Sequence, residues 1–248
     1  MLHALLLGLV LALGTGPTVT PPPGGMDVDY QLGGVVAPAP NVGVVVRDRR
    51  AAPAPGVYNV CYVNGFQTQP DEARLWRRHP GLVLRRGGRP VVDEAWGEWL
   101  LDLRTPAKRQ RLAAIVGRWI DRCARDGFDG VELDNLDSFT RSHGLLKARH
   151  AKKYARLLTR RAHAAGLAVA QKNWADLDGR RLGFDFAVAE ECGRYDECGA
   201  YVATYGDRVL VVEYRRRDFR RTCAEYGDRL GVVLRDRDLR PRGVRAWC

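Results

Sequence analysis

Gly127-Phe-Asp-Gly-Val-Glu-Leu-Asp-Asn-Leu-Asp137 is the stretch that decides the fold. It reads as a short apolar strand that ends in a burst of carboxylates, which a strand interior would not tolerate. Residues two apart on a strand share a face, so Glu132 and Asp134 point the same way. Acids crowded at the exit of a buried strand mark a site built on a barrel or an open α/β sheet. Phe186-Ala-Val-Ala-Glu-Glu191 repeats the form, an apolar strand followed by acids. Two such strand ends bring paired carboxylates within reach of one another.

Working outward, further strands are expected at 30–33, 42–47, 58–63, 167–171, 184–190, 209–214 and 230–234. Most are short and continuously apolar rather than alternating, as strands buried on both faces are. Helical patterns lie between them. Over 108–126, Leu112, Ile115, Val116, Trp119, Ile120 and Cys123 recur at three- and four-residue spacing. Thr105-Pro106 has the chemistry of a helix start, with proline in the first turn. A second helix is expected over 145–165, stopped by Gly166. Eight strands with helices between them predict an α/β fold: a single (β/α)8 TIM-type barrel over 26–248. The first two strands leave no room for a full helix between them, so the barrel is expected to be irregular there. No internal repeat stands out.

Residues 1–25 are set apart as a signal peptide and Pro/Gly linker. An apolar run over 4–13, too short for a comfortable membrane span, precedes Gly14-Thr-Gly-Pro17 and Pro21-Pro-Pro-Gly-Gly25. Secretion follows from that reading, without stable membrane insertion. The six cysteines, at 61, 123, 192, 198, 223 and 248, form no CxxC pair and have no histidines clustered with them. A metal site is therefore not expected, and an even count suits disulfides in an oxidising compartment. Cys192 with Cys198, Cys223 with Cys248 and Cys61 with Cys123 is one of fifteen possible pairings, among which the sequence does not choose.

The formal net charge is +11, and residues 1–25 contain no charged side chain of either sign apart from the chain terminus. Such a charge permits nucleic acid or an anionic surface as partner. Here the arginines scatter over helices and loops rather than along one stripe, so a nucleic-acid partner is not expected.

The strand ends turn polar together. They carry Tyr62 and Asn64; Glu132, Asp134, Asn135 and Asp137; Lys172 and Asn173; Glu190 and Glu191; Glu213 and Tyr214. The long loop after the third strand adds Asp93, Glu94, Trp96, Trp99 and Asp102. Carboxylates, amides, a lysine and aromatics make a sugar site: aromatic faces stack on rings, amides and acids bind hydroxyls, and two acids cleave a glycosidic bond. A lone acid among these is more simply a salt-bridge partner or a helix cap. The joint pattern is what points to a site.

Six segments carry a resemblance to a known family. They are Asp29-Tyr-Gln-Leu-Gly-Gly34, Cys61-Tyr-Val-Asn-Gly-Phe-Gln67, Trp99-Leu-Leu-Asp-Leu-Arg104, Phe128 through Asp137, Gln171-Lys-Asn173 and Phe184 through Cys192. The chain resembles glycoside hydrolase family 114, the endo-α-1,4-polygalactosaminidase-like barrels, from about residue 29 to Cys248. The resemblance implies cleavage of an α-1,4-linked galactosamine polymer within the chain, with no cofactor. Carried over by position, Asp134 would be the nucleophile and Glu190 the general acid/base. Glu191 and Asp134 would raise the proton affinity of Glu190, and Lys172 and Asn173 would keep Asp134 ionised and bind the sugar. Tyr62, Asn64, Asp93, Trp96, Glu132, Asn135, Asp137, Glu213 and Tyr214 complete the expected substrate-binding set. One departure is Ala189, where the pattern leads one to expect Asn and thus a hydrogen bond near the acid.

Other readings remain beside this one. Asp129-Gly-Val-Glu-Leu-Asp134 has a superficial likeness to a chitinase-type strand, but Asn135-Leu136 stand where that motif needs its last Glu. A non-catalytic carbohydrate-binding barrel would need neither Asp134 nor Glu190. A basic surface repels a cationic polymer at long range, yet screening confines charge effects to ~8 Å, so an acidic cleft would still attract it. Asp93, Glu94, Glu132, Asp137, Asp196 and Glu213 are the acids available for such a cleft.

Overall fold

The computed structural model describes residues 17–248. The apolar run over 4–13, read above as part of a signal peptide, lies outside the described residues. Eight parallel strands follow one another round a barrel: β1 (Asp27–Gln31), β2 (Val42–Asp48), β3 (Tyr58–Asn64), β4 (Gly130–Asp134), β5 (Ala168–Lys172), β6 (Phe186–Glu190), β7 (Val209–Glu213) and β8 (Gly231–Arg235). Each hydrogen-bonds to the next in sequence order. A ninth strand, β9 (Arg245–Trp247), runs antiparallel on the edge of β8. It was not foreseen, because three residues are too few to show a period.

The seam between β1 and β8 is latched by side chains rather than by a ladder. Asp29 meets Arg245 at 2.8 Å and Arg235 at 3.5 Å, and Trp247 Nε1 donates to the Val28 carbonyl at 2.8 Å. At the base of the seam Gly231 lies so close to Met26 that a Cβ there would sit 2.0 Å from the Met26 carbonyl oxygen. Residues 17–25 lie along the same end of the barrel. Tyr58 Oη donates to the Thr20 carbonyl at 2.8 Å, and Gly25 N to the Asp207 carbonyl at 3.4 Å.

Helices cover part of the outside. They are α1 (Ala73–Arg77), α2 (Pro106–Arg125), α3 (Ala148–Ala164), α4 (Cys192–Tyr195), α5 (Cys198–Tyr205) and α6 (Arg216–Tyr226). The connections after β1 and β2 carry no α-helix among the described residues, so the irregularity extends through β3. Helix α2 starts as its sequence predicts: Thr105 caps it by accepting from Lys108 N at 3.3 Å, and Pro106 occupies the first turn. Gly166, at φ 83°, lies just beyond the end of α3 in the left-handed conformation that suits glycine. Two short ribbons, Arg85–Arg86 with Arg89–Pro90 and Val92–Asp93 with Glu98–Trp99, lie in the β3–β4 connection, and the second brings Asp93, Ala95, Trp96 and Glu98 to one side of the barrel mouth.

Strand alternation sorts the core into two layers. Val28, Val44, Val60, Ala170, Phe186, Val188 and Val212 fill the barrel, while Val63, Leu133, Val169, Ala189 and Val211 meet the helices outside. The cysteines pair as Cys61–Cys123, Cys192–Cys198 and Cys223–Cys248. The first ties α2 to β3, the second closes the turn between α4 and α5, and the third fastens α6 to the C-terminal residue. Among the described residues no helix is long and apolar enough to cross a membrane.

Candidate active site

The same alternation that fills the barrel with valines delivers its polar groups to the mouth. Tyr30, Tyr62, Asp134, Lys172, Glu190 and Tyr214 come from the ends of β1, β3, β4, β5, β6 and β7. They help line a cleft of about 430 Å³. Lys172 is its hub. Only 2 % exposed, its ammonium donates to Glu132 Oε1 at 2.6 Å and to Tyr30 Oη at 2.8 Å. It also lies 3.2 Å from Asp134 Oδ1 and 3.3 Å from Glu190 Oε2.

Each carboxylate has a tyrosine of its own. Tyr30 donates to Glu132 Oε1 at 2.6 Å, Tyr62 to Asp134 Oδ2 at 2.6 Å, and Tyr214 to Glu190 Oε1. Burial and the neighbouring anions hold all three phenols above their ordinary range, so they act as donors. Burial alone would raise the Asp134 carboxyl. Lys172, the Tyr62 hydroxyl and the Asn135 amide more than offset it, and the group rests below the usual aspartate range. Burial would likewise strip the proton from Lys172, but Asp134, Glu132 and Glu190 keep it charged. Glu132 lies beneath the cleft, fully buried, and desolvation lifts its carboxyl to about 7 against the pull of Lys172.

The chain turns sharply at these strand ends. Asn135, Asn173 and Glu191, each one residue past Asp134, Lys172 and Glu190, have φ of 64°, 51° and 57°. Asparagine tolerates this left-handed region, whereas glutamate is held there at a cost of roughly 1–2 kcal/mol. Asn173 Oδ1 accepts from Glu190 N at 2.9 Å and so joins the ends of β5 and β6. Glu191 Oε1 takes Arg194 and Arg237, each at 2.9 Å. Its charge is therefore paired with two guanidiniums.

The remaining expected residues divide. Asp93, Trp96 and Asp137 line the cleft. Arg141 bridges the two acids, at 2.8 Å from Asp93 and 2.9 Å from Asp137. Trp96 stands 64 % exposed on the rim, an open face for stacking. Asn64 is buried behind the cleft, where it donates to Glu98 Oε2 at 2.9 Å and accepts from Asn135 at 3.1 Å. Glu213 is a correction. It faces outward from β7 and, fully buried, accepts from Gly193 N at 2.7 Å. Strand parity separates it from Tyr214, its neighbour in sequence. Glu94 and Asp196 do not line the cleft either. Asp102 is held by Arg104 and Lys108 at the start of α2, and Trp99 packs against the outer core. Ala189 faces the outer core as well, so an asparagine there would not reach the acid on the opposite face.

Sequence reasoning missed Tyr30, Glu98 and Arg141 as cleft residues, along with Arg237, Asp238 and Leu239 from the β8–β9 loop. Tyr30 alone carried a signal: it sits two residues after Val28 on the inward face of β1.

The fold is shared with solved structures of low sequence identity. The crystal structure of Aspergillus fumigatus Ega3 in complex with galactosamine superposes with a TM-score of 0.75 at 19% identity, covering 95% of this chain and 100% of that one. The glycoside hydrolase domain of PelA from Pseudomonas aeruginosa gives 0.61 at 16% identity, over 88% of this chain and 97% of its own. No curated protein matches the sequence. The sequence model of glycoside-hydrolase family GH114 matches residues 11–248, nearly the whole chain, and the protein belongs to that family of glycoside hydrolases.

Proposed function

We propose that the protein is a secreted, endo-acting hydrolase of α-1,4-linked, galactosamine-containing polysaccharide, with Asp134 as nucleophile and Glu190 as general acid/base. One observation carries the pairing: both carboxylates reach the same ammonium, at 3.2 and 3.3 Å from Lys172 Nζ. Their nearest oxygens are thus no more than 6.5 Å apart, the two legs laid end to end. That ceiling leaves room for the roughly 5–5.5 Å spacing of a double displacement with retention, the course assigned to this pair.

In this reading Asp134, held ionised, attacks the anomeric carbon while Glu190 protonates the departing oxygen. Glu190 then takes a proton from the water that releases the sugar from Asp134. Tyr62 and Tyr214 keep the two carboxylates in place, and Trp96 offers its face to a ring along the cleft. The aminosugar preference is supported by charge. Six acids line the cleft (Asp93, Glu98, Asp134, Asp137, Glu190, Asp238) against three cations (Arg141, Lys172, Arg237). Secretion is supported by three disulfides together with the apolar N-terminal run. The endo mode and the α-1,4 linkage rest on the family resemblance.

The test is product analysis on partly deacetylated α-1,4-linked galactosamine polymer. Wild type should release a range of oligosaccharides whose first-formed reducing ends are α by NMR. Asp134→Asn and Glu190→Gln should each lower kcat/KM at least about 1000-fold while keeping the wild-type circular dichroism. Undiminished release in both variants would remove this acid pair from the chemistry. First-formed β ends would replace retention with inversion.

A further inference from the structure

The cleft acids differ in one respect. Asp93 and Asp137 share Arg141, Asp134 and Glu190 share Lys172, and Asp238 holds Arg240. Glu98 alone among the cleft acids has no cation within ion-pair distance among the described residues. It is 9 % exposed and lies on the second ribbon. Its Oε2 accepts from Asn64 at 2.9 Å and from Asn135 at 3.3 Å, and its other oxygen accepts no hydrogen bond among the described residues. Two amides orient this carboxylate without neutralising it, and a buried carboxylate left in that state is costly.

We propose that Glu98 reads the free amine of the substrate, selecting sugar units that carry an ammonium over N-acetylated ones beside the scissile bond. The inference rests on the aminosugar reading above. An ammonium in the cleft supplies the missing cation and up to three donors, whereas an acetamido group offers one neutral N–H and the bulk of an acyl group. The place is set by Asn135, whose side-chain amide lies 3.3 Å from Glu98 Oε2 and 3.4 Å from Asp134 Oδ2. An amine on Glu98 therefore belongs to the ring that Asp134 attacks or to its neighbour.

The titration of Glu98 agrees with this geometry. Burial, opposed by Asn64 and reinforced by Asp134, Asp93 and Glu72, lifts the carboxyl to about 7. The charges packed round it are themselves engaged: Glu72 with Arg49, Asp93 with Arg141, Asp134 with Lys172. In the free enzyme Glu98 is then only partly ionised near neutrality, and a bound ammonium draws the proton off.

The test compares length-matched α-1,4-galactosamine oligomers with free amines against the same oligomers after N-acetylation, using wild type and Glu98→Gln. Glutamine keeps the shape and an acceptor for the two asparagines. Wild type should favour the free-amine oligomer by about tenfold or more in kcat/KM. Glu98→Gln should collapse that ratio through KM, and should remove the contribution of the Glu98 ionisation from the pH dependence of KM. An unchanged ratio, or an equal loss on both oligomers, would overturn the proposal, the latter reducing Glu98 to a support for Asn64 and Asn135. Calorimetric binding of the free-amine oligomer to Asp134→Asn, with and without Glu98→Gln, separates this inference from the hydrolase reading. If wild type cleaves neither oligomer the hydrolase reading fails, while weaker binding in the double variant still upholds the ammonium site. Equal or absent binding removes the site.

Discussion

The mouth of the barrel and the helices around its waist carry charge of opposite sign in opposite ways. Helices α2 and α3 pack side by side and hold twelve Lys and Arg against a single acid, Asp121. Their exposed positions form two basic stripes, Arg111, Arg118, Arg122 and Arg125 on one and Arg149, Lys153, Arg156 and Arg160 on the other. Arg161 joins the helices by reaching Asp121 at 2.7 Å. At the mouth Asp93, Glu98 and Lys172 are buried, Asp134 and Glu190 are partly so, and each is held within hydrogen-bond or ion-pair distance of a partner. A charge in water is screened within ~8 Å, while one out of water keeps its reach and shifts its neighbours' proton affinities. A net charge of +11 therefore describes the waist and says little about what the cleft attracts.

Beyond the acid pair itself, removing the buried cation of the mouth should have the largest effect. Lys172→Met leaves Glu132, Asp134 and Glu190 without their shared partner. We expect a loss of about 100- to 1000-fold in kcat/KM and about 3 kcal/mol in stability. The acid limb of the pH–rate profile should move upward, since Lys172 is what holds Asp134 below the usual aspartate range. Near-wild-type activity in this variant would mean that burial gives the mouth no special weight.

A buried acid outside the mouth sharpens the point. Desolvation lifts Glu213 to about 7, so the native protein keeps that proton over a range where the unfolded chain, at about 4.3, has released it. The native state then binds more protons, and folding stability falls as pH rises from about 4.3 to about 7, levelling off above. Glu213→Gln removes this share of the slope. It should match wild type in urea unfolding at pH 4.5 and exceed it by about 2 kcal/mol at pH 8. Equal stability at both values would show that Glu213 titrates as an ordinary carboxyl.

The smallest effect is expected at the waist. Arg118→Glu combined with Arg156→Glu moves the net charge by four yet should change kcat/KM less than about twofold at physiological salt. Stability should stay within about 0.5 kcal/mol. A large, salt-sensitive fall in activity would make the waist part of substrate capture and undo the contrast.

What the sequence reveals of this site follows strand parity. Glu132 and Asp134 share a face because they are two apart, and Tyr62, Lys172 and Glu190 follow from the same rule applied to β3, β5 and β6. The same rule places Glu213 and Ala189, one residue off the inward phase, on the outer face of the barrel. Glu98 and Arg141 lie in connections without regular period, where only the folded path brings them to Asp93 and Asn135. The basic stripes were hidden for a related reason. In linear order the arginines look scattered, and only the 3.6-residue turn of the helix aligns them.

The shared ammonium has a consequence for the timing of the proposed reaction. As the sugar is captured, Asp134 gives up its negative charge to an ester while Glu190 acquires one by losing its proton. Both sites lie almost equally far from Lys172 Nζ, at 3.2 and 3.3 Å. The electrostatic potential at the ammonium is thus nearly the same before and after the step, and charge passes from one side of it to the other like weight across the pivot of a balance. Neither lysine nor solvent has to rearrange as that happens, and on the return half-reaction the same pivot carries the charge back.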